Sequence, residues 1–570
     1  MKGVGVSPGI AIGKVFVKKE VNFKNEKYSV SRTSTELDRL NVAIEKTKVE
    51  IDTLYEKTLK NLGKDDAEIF VAHKMMLEDP EFISMIKGNI VSERINAEWA
   101  VIKTRDTFVQ LLENIEVDYI KERSIDVKDV SNKLLMNLSG NKSSELINIE
   151  GKCIIVSNDL TPSNTAQIDI EKALGFVTEA GGKTSHTSIM ARSLELPAVV
   201  GVKDITNIVK NNDTLIVDGN EGLVIINPTE KQIKYYRDKK KKQEELSLIL
   251  NNMKGKETVS KDGVKVKIVG NIGTPKDINK VIKNDGEGVG LYRTEFLYMD
   301  RNSLPTEEEQ FKAYKFAAEK LEGKPVVIRT LDVGGDIELP YLNLPKEKNP
   351  FLGYRGIRYS LDKEYIFKTQ LRAILRATAF GNIKIMLPMI SSIDEISEAK
   401  AIIKEIKTEL EAEDMQFNEN VEIGIMVETP AAAIQSDILA KEVDFFSIGT
   451  NDLIQYTLAV DRSNQNISLK YSQYHPSVLR LIKLIIDNGH KEGIKVGMCG
   501  EAAGDEKLIP IFLGMGLDEF SMSSTSILKA RWIIRNNSKS EMGNKIDEVL
   551  NFSSSNEIEK YINEKITIKI

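Results

Sequence analysis

Residues 264–273 read VKVKIVGNIG, and seven more short apolar segments follow: GVGLYRTEF (288–296), PVVIRTLDVGG (325–335), IKIMLPMI (383–390), VEIGIMVETP (421–430), DFFSIGTNDL (444–453), IKVGMCGE (494–501) and DEFSMS (518–523). Helical or loop material separates each from the next. Eight strand-like segments in roughly 260 residues predict a (β/α)8 barrel, whose usual length is about 250 residues. A doubly wound sheet has the same alternation, because strand order is not encoded in spacing. The strand ends tip the balance. Arg293, Arg329, Glu428, Asn451–Asp452, Cys499–Gly500–Glu501 and Ser521 end six of the eight segments in polar residues. In a barrel these all emerge on the C-terminal rim, where barrel enzymes place their chemistry.

Upstream, YYRDKKKKQEEL (235–246) belongs to a stretch, 230–256, that reads as a solvated helix joining two domains. Before it come further strand-like segments: KCIIVS (152–157), GFVTEA (175–180), PAVVGV (197–202) and DTLIVDG (213–219). The opening GVGVSPGIAIGKVFV (3–17) is also strand and turn, built from small and β-branched residues around Ser7–Pro8–Gly9. Between these strands, Leu37, Leu40, Ile44, Ile51 and Leu54 recur at helical spacing, and similar stretches run to about Leu138. The pattern predicts a block of four helices inserted into an α/β domain. The expected division is 1–30 and 146–228 for the split α/β domain, 31–145 for the helical insert, 229–258 for the linker and 259–570 for the barrel.

Charge and cysteine usage narrow the function classes. Lys plus Arg total 79 against 85 Asp plus Glu, a net charge of −6, so the chain lacks the basic field of a general nucleic-acid binder. Two cysteines among 570 residues rule out a disulfide framework or Cys-rich zinc site and fit a reducing cytoplasm. The start, MKGVGVSPGIAIGKVF, makes a poor signal peptide, and no apolar run approaches the ~18 residues of a membrane span. A cytoplasmic protein with neither nucleic-acid binding nor membrane insertion is therefore expected.

The rim residues suggest a ligand. Arg293 and Arg329 offer guanidinium forks that match phosphate and carboxylate oxygens, and Arg462 lies ten residues beyond Asp452. Glu428 and Asp452, with waters and substrate oxygens, make a magnesium site. With Asn451 as an amide donor, the set suits a small, multiply anionic substrate such as a phosphorylated carboxylic acid. Cys499 reads equally as a small buried hydrophobe or as a thiol exchanging a proton at the rim, whereas Cys153 reads as buried packing.

The four histidines are His73, His186, His475 and His490, so histidine chemistry has few candidates. GGKTSHTSIMARSLELPAVVG (181–201) allows a tight turn, a Thr184 or Ser185 cap, and a helix opening near His186. There the helix dipole keeps the imidazole neutral and nucleophilic, and first-turn N–H groups would stabilise a phosphoryl group on its ring. His73 reads as a surface or packing residue, His475 as a support of the barrel rim and His490 as a helix C-terminal charge.

Longer motifs carry a resemblance. TSHTSIMARSLELPAVVG (184–201) resembles the phosphohistidine signature of phosphoenolpyruvate-utilising enzymes, and GTNDLIQYTLAVDR (449–462), GMCGE (497–501) and GIMVETP (424–430) resemble their barrel signature. With SPGIAIGKV (7–15), the helical insert and the length, the chain is most similar to the phosphoenolpyruvate–protein phosphotransferases of the bacterial sugar phosphotransferase system. The resemblance implies that phosphoenolpyruvate and Mg2+ bind the barrel, with Glu428 and Asp452 as metal ligands. It implies that Arg293, Arg329, Asn451, Asp452 and Arg462 bind substrate, and that Arg355 and Arg358 extend the cationic wall. His186 would take the phosphoryl group on a swivelling domain, and Cys499 would protonate the enolate to release pyruvate. The phosphoryl group would pass to the histidine phosphocarrier protein, docked on the helical insert near His73 and Met75–Met76. Barrels would pair into a homodimer.

Two positions depart from the family pattern. Gly334–Gly335–Asp336–Ile337 stands where the family has GGDK, and Lys183 replaces the Arg before Thr-Ser-His. A pyruvate phosphate dikinase or phosphoenolpyruvate synthase would need an ATP-binding domain and phosphate loop that the sequence does not offer. A nitrogen-regulatory paralogue would carry an N-terminal sensor domain. A catalytically silent scaffold is disfavoured by His186, Glu428, Asp452 and Cys499.

Overall fold

The computed structural model describes residues 1–18, 26–61, 63–114, 118–140, 149, 151–182, 185–299, 301–335, 339–342, 344–464 and 466–566. They form two compact units, Met1–Glu245 and Leu246–Ile570.

The first unit holds a seven-stranded sheet of β1 (Val4–Ser7), β2 (Ile10–Val17), β3 (Cys153–Ser157), β4 (Ala173–Thr178), β5 (Ala198–Val200), β6 (Thr214–Asp218) and β7 (Leu223–Ile226), in the order β1-β5-β4-β3-β2-β6-β7. The central strands β2, β3, β4 and β5 run parallel, and β1, β6 and β7 add antiparallel edges. All five residues of β3 are buried, as expected of an apolar run covered on both faces. The edge strand β7 is absent from the sequence reading, because LVII is short and follows a turn that reads as the end of β6.

β2 and β3 are neighbours in the sheet although the helical insert separates them in sequence. Among its described residues that insert contains five helices rather than four: Thr33–Asn61, Lys64–Glu78, Pro80–Glu93, Ala97–Glu113 and Asp118–Ser139. The second and third meet at Asp79, which ends one and caps the next by accepting the Glu81 and Phe82 N–H groups at 2.8 Å. A one-residue junction leaves no loop signal to count. Leu40, Ile44, Ile51 and Leu54 are buried, as their spacing requires. His73 is wholly buried too, its Nε2 3.2 Å from Asp126 and its ring edge-on to Phe70. It is therefore a core residue and not a docking contact; Met75 is exposed and Met76 packs partly on the core.

Helix Glu230–Asn251 spans the sequence boundary between the units. Its first turns are not simply solvated: Tyr236 packs with Ile10 and Ile216, and Lys239 Nζ lies 2.7 Å from Asp218.

In the second unit β8 (Lys267–Ile272), β9 (Val289–Arg293), β10 (Val326–Arg329), β11 (Ile383–Leu387), β12 (Ile423–Val427), β13 (Phe445–Ile448), β14 (Lys495–Met498) and β15 (Glu519–Met522) close a parallel barrel. The closing pair, β15 on β8, matches Phe520 with Ile268 and Ser521 with Val269, which excludes the doubly wound sheet. Leu291, Val327, Met386, Met426, Phe445 and Cys499 form an apolar cluster inside the barrel. Among the described residues no helix is long and apolar enough to cross a membrane.

Candidate active site

Parallel closure brings the strand ends to one rim, where a cavity of about 740 Å³ opens. Arg293, Arg329, Glu428, Asn451, Asp452, Arg462 and Cys499 all line it. Arg355 joins them; Arg358 does not, its Nη1 lying 3.4 Å from the Leu352 carbonyl and 3.3 Å from that of Gly353 on an adjoining loop.

The cations are not loose charges. Arg329 Nη2 is 3.0 Å from Glu295 Oε1, and Nη1 is 3.2 Å from Asp332. Arg355 clamps Asp332 through Nε at 3.2 Å and Nη2 at 2.8 Å, and its Nη1 reaches Asp452 at 3.4 Å and the Tyr456 hydroxyl at 3.2 Å. Burial alone would raise the Asp332 carboxyl, but Arg355 and Arg329 outweigh it and hold it below the usual carboxylate range. Two arginines and three carboxylates thus form a buried lattice with fixed forks, the arrangement in which buried charge is tolerated. Arg293 lies with its guanidinium carbon 5.5 Å from the Phe296 ring centre at the exposed mouth.

Glu428 is buried just past β12. Its Oε1 accepts the Met389 N–H at 2.7 Å. Burial, then the facing Asp452 and Asp332 carboxylates, push its pKa up to about 8 despite Arg329 and Arg355. Asn451 Oδ1 accepts the Glu501 N–H at 3.0 Å, which turns its NH2 group to the other side of the amide. Cys499 is 4 % exposed; burial pushes its thiol up to about 11, so it holds its proton at neutral pH.

Sequence reading passed over Asn271, Glu295 and Asp332, which also line the cavity. Each lies in a quoted strand segment. The signal was a carboxylate or amide beside a strand end, but the pairing of Glu295 with Arg329 and of Asn271 with the Cys499 carbonyl depends on how the barrel strands come together.

In the first unit His186 opens helix His186–Ser193, and Ser185 caps it by accepting the Ser188 N–H at 3.4 Å. Gly181 has φ +106°, a turn that favours glycine. The Gly182 carbonyl accepts both the Ser185 and Ser188 hydroxyls, at 3.0 and 2.6 Å. Thr187 is tied to the Leu160 carbonyl at 3.2 Å, so the helix start is held from both sides. Lys183, Thr184, Asp336, Ile337 and the His186 side chain lie outside the described residues. Of the other histidines, His475 caps helix Pro476–Lys491, and His490 in its last turn lies 2.8 Å from Asp518. Cys153 is buried in the first unit's core.

A barrel whose rim gathers arginine forks and carboxylates, with a separate unit bearing a histidine at a helix start, is the arrangement expected of phosphoenolpyruvate-utilising enzymes. Family models agree along the chain: the N-terminal domain of these enzymes matches residues 2–123, the mobile domain 149–222 and the phosphoenolpyruvate-binding domain 249–539. The chain is 50% identical over 562 residues to a phosphoenolpyruvate-protein phosphotransferase of Priestia megaterium, covering 99% of this chain and 98% of that protein. It is 50% identical over 564 residues to the Bacillus subtilis protein of that name, covering 99% of each. The Staphylococcus aureus protein is 49% identical over 566 residues, again with 99% of each covered. A solution structure titled Enzyme I (nEIt) is 44% identical, covering 43% of this chain and 99% of that one at a TM-score of 0.39. The chain belongs to the phosphoenolpyruvate-protein phosphotransferase family.

Proposed function

We propose that this enzyme transfers the phosphoryl group of phosphoenolpyruvate to its own His186, releasing pyruvate, and then to the histidine phosphocarrier protein. The observation that carries the reading is that Arg293, Arg329, Glu428, Asn451, Asp452, Arg462 and Cys499 line one cavity at the rim. Arg293, Arg329 and Arg462 hold phosphate and carboxylate, and Asn451 contributes its NH2 group. Arg329 enters with its charge already balanced by Glu295 and Asp332, so its contribution is a rigid fork rather than net attraction.

A magnesium ion fits the donors. Glu428 and Asp452 are hard oxygen ligands, and Glu428 has been pushed up partly by the nearby Asp452 carboxylate, a repulsion that a divalent cation relieves. When bound, the ion neutralises charge on the phosphoryl and enolate oxygens.

The His186 ring nitrogen attacks phosphorus, the N–P bond forms, and the bond from phosphorus to the enol oxygen breaks. The Cys499 thiol gives its proton to the enolate carbon, producing pyruvate, and the thiolate recovers a proton from solvent. Exposed Val42, Val49, Val71 and Met75 on the first two insert helices support a docking face for the carrier. Ile434, Ile438 and Leu484, exposed on neighbouring barrel helices, support pairing of barrels in a homodimer. The free thiols of Cys153 and Cys499 suit the cytoplasm.

Incubation with phosphorus-labelled phosphoenolpyruvate and Mg2+, without nucleotide, tests the reading. The expected product is an acid-labile, alkali-stable label that is lost in His186→Ala. Label that appears only with ATP would overturn it. Cys499→Ala should retain phosphoenolpyruvate binding and slow pyruvate formation; equal loss of both would remove Cys499 from its role.

A further inference from the structure

Ser521, the penultimate residue of β15, is a polar side chain that the proposed chemistry leaves unused, and it is buried. It donates at 2.6 Å to Oδ1 of Asn271 on the neighbouring strand β8. The Asn271 Nδ2 in turn donates at 3.0 Å to the backbone carbonyl of Cys499. The chain of contacts is specific: with Oδ1 occupied by Ser521, Asn271 can present only its NH2 group to Cys499. Room for the Ser521 hydroxyl comes from Gly290 on β9, where a Cβ would lie 2.6 Å from that oxygen.

The same short segment is pinned elsewhere. The Cys499 N–H donates to the Ile448 carbonyl at 3.1 Å, and the Glu501 N–H donates to Asn451 at 3.0 Å. A Cβ on Gly500 would fall 1.8 Å from the Thr450 hydroxyl, so the backbone there lies closely against the start of helix Thr450–Leu458. The thiol itself makes a long 3.8 Å contact to the Ile448 carbonyl and a side-chain hydrogen bond with Ser447. A cysteine has one side-chain torsion before the sulfur, so the main chain together with that torsion sets where the sulfur sits. Asn271 is the only one of these anchors that grips the Cys499 carbonyl, and it reaches across the barrel closure to do so.

We propose that Asn271, oriented by Ser521, is a positioning residue that aims the Cys499 thiol at one face of the enolate carbon. The inference rests on the function proposed above. It separates two roles at the rim: the arginines place phosphate and carboxylate, and the Ser521–Asn271–Cys499 chain places the proton donor. Misplacing a reacting group by about 1 Å costs on the order of 100-fold in rate.

The test uses the full-length enzyme with Asn271→Asp, which keeps size but loses the donor, and with Ser521→Ala and Ser521→Thr. Asn271→Asp should lower kcat for pyruvate formation by about 30- to 100-fold with KM changed less than about 3-fold. Ser521→Ala should lower it about 3- to 10-fold, and Ser521→Thr, which keeps the hydroxyl, should restore it. The second readout is facial selectivity: phosphoenolpyruvate stereospecifically labelled at C3 should give methyl-chiral pyruvate with wild type and scrambled methyl groups with Asn271→Asp. A fold-level defect lowers active enzyme without scrambling the face, so full selectivity in Asn271→Asp would overturn the proposal, whatever the rates. So would a loss confined to KM. If wild type itself fails to label His186, the proposed function fails first; if it labels His186 but scrambles the methyl group, the proton-donor role of Cys499 fails and the positioning role falls with it.

Discussion

At Glu428 burial and charge act in the same direction. Desolvation, then Asp452 and Asp332, lift the carboxyl from an ordinary 4.5 to about 8. Between those values the folded protein holds a proton that the unfolded chain has released, so stability falls as pH rises from about 5 to about 8. The urea midpoint of the barrel unit without metal should decline across that window. Glu428→Gln should flatten the decline, and saturating Mg2+ should reduce it by favouring the ionised carboxylate. A slope unchanged by Glu428→Gln would assign it to other groups. Glu428 and Cys499 were legible as candidates because each follows a strand-like run. Glu295 and Asp332 were not, although both stand in quoted segments. Nothing in GVGLYRTEF or PVVIRTLDVGG says that one carboxylate faces the Arg of the other strand.

Helices and strands show a similar division. The five buried positions of β3 and the leucine and isoleucine spacing of the first insert helix were readable, because burial imposes a period on the residues themselves. The junction at Asp79 was not, since a residue that both ends and caps a helix leaves no loop between them. How the insert is tied to the α/β unit was likewise hidden. Asp129, on helix Asp118–Ser139, accepts the Thr161 hydroxyl and the Ser163 N–H, each at 3.0 Å. Asp129→Ala leaves a buried N–H unpaired and should cost about 1–3 kcal/mol. The check is the urea midpoint of the first unit in the full chain; an unchanged midpoint would mean that water or a neighbour replaces the carboxylate.

For the whole molecule, the division at Glu245 and Leu246 predicts two calorimetric transitions rather than one. Every rim residue assigned to substrate lies in Leu246–Ile570. In His186→Ala, which takes no phosphoryl group, phosphoenolpyruvate with Mg2+ at 100 times its Kd should therefore stabilise one transition by about 2.7 kcal/mol and leave the other in place. Isolated 1–245 and 246–570 serve to assign them. Equal shifts of both transitions would mean that ligand binding is shared between the units.

Sequence alone determined the elements and the chemical inventory: the apolar runs that become strands, the helix start at His186, and the arginines, carboxylates and thiol that follow barrel strands. These are local consequences of side-chain periodicity and backbone capping. Only tertiary structure decided that the eight strands close on themselves, that His73 is core rather than surface, and that Arg329 and Arg355 come already paired with Glu295, Asp332 and Asp452. It also decided that Asn271 and Ser521 meet Cys499. Those contacts join residues up to 250 positions apart, and their geometry depends on barrel closure, which no local pattern of residues encodes.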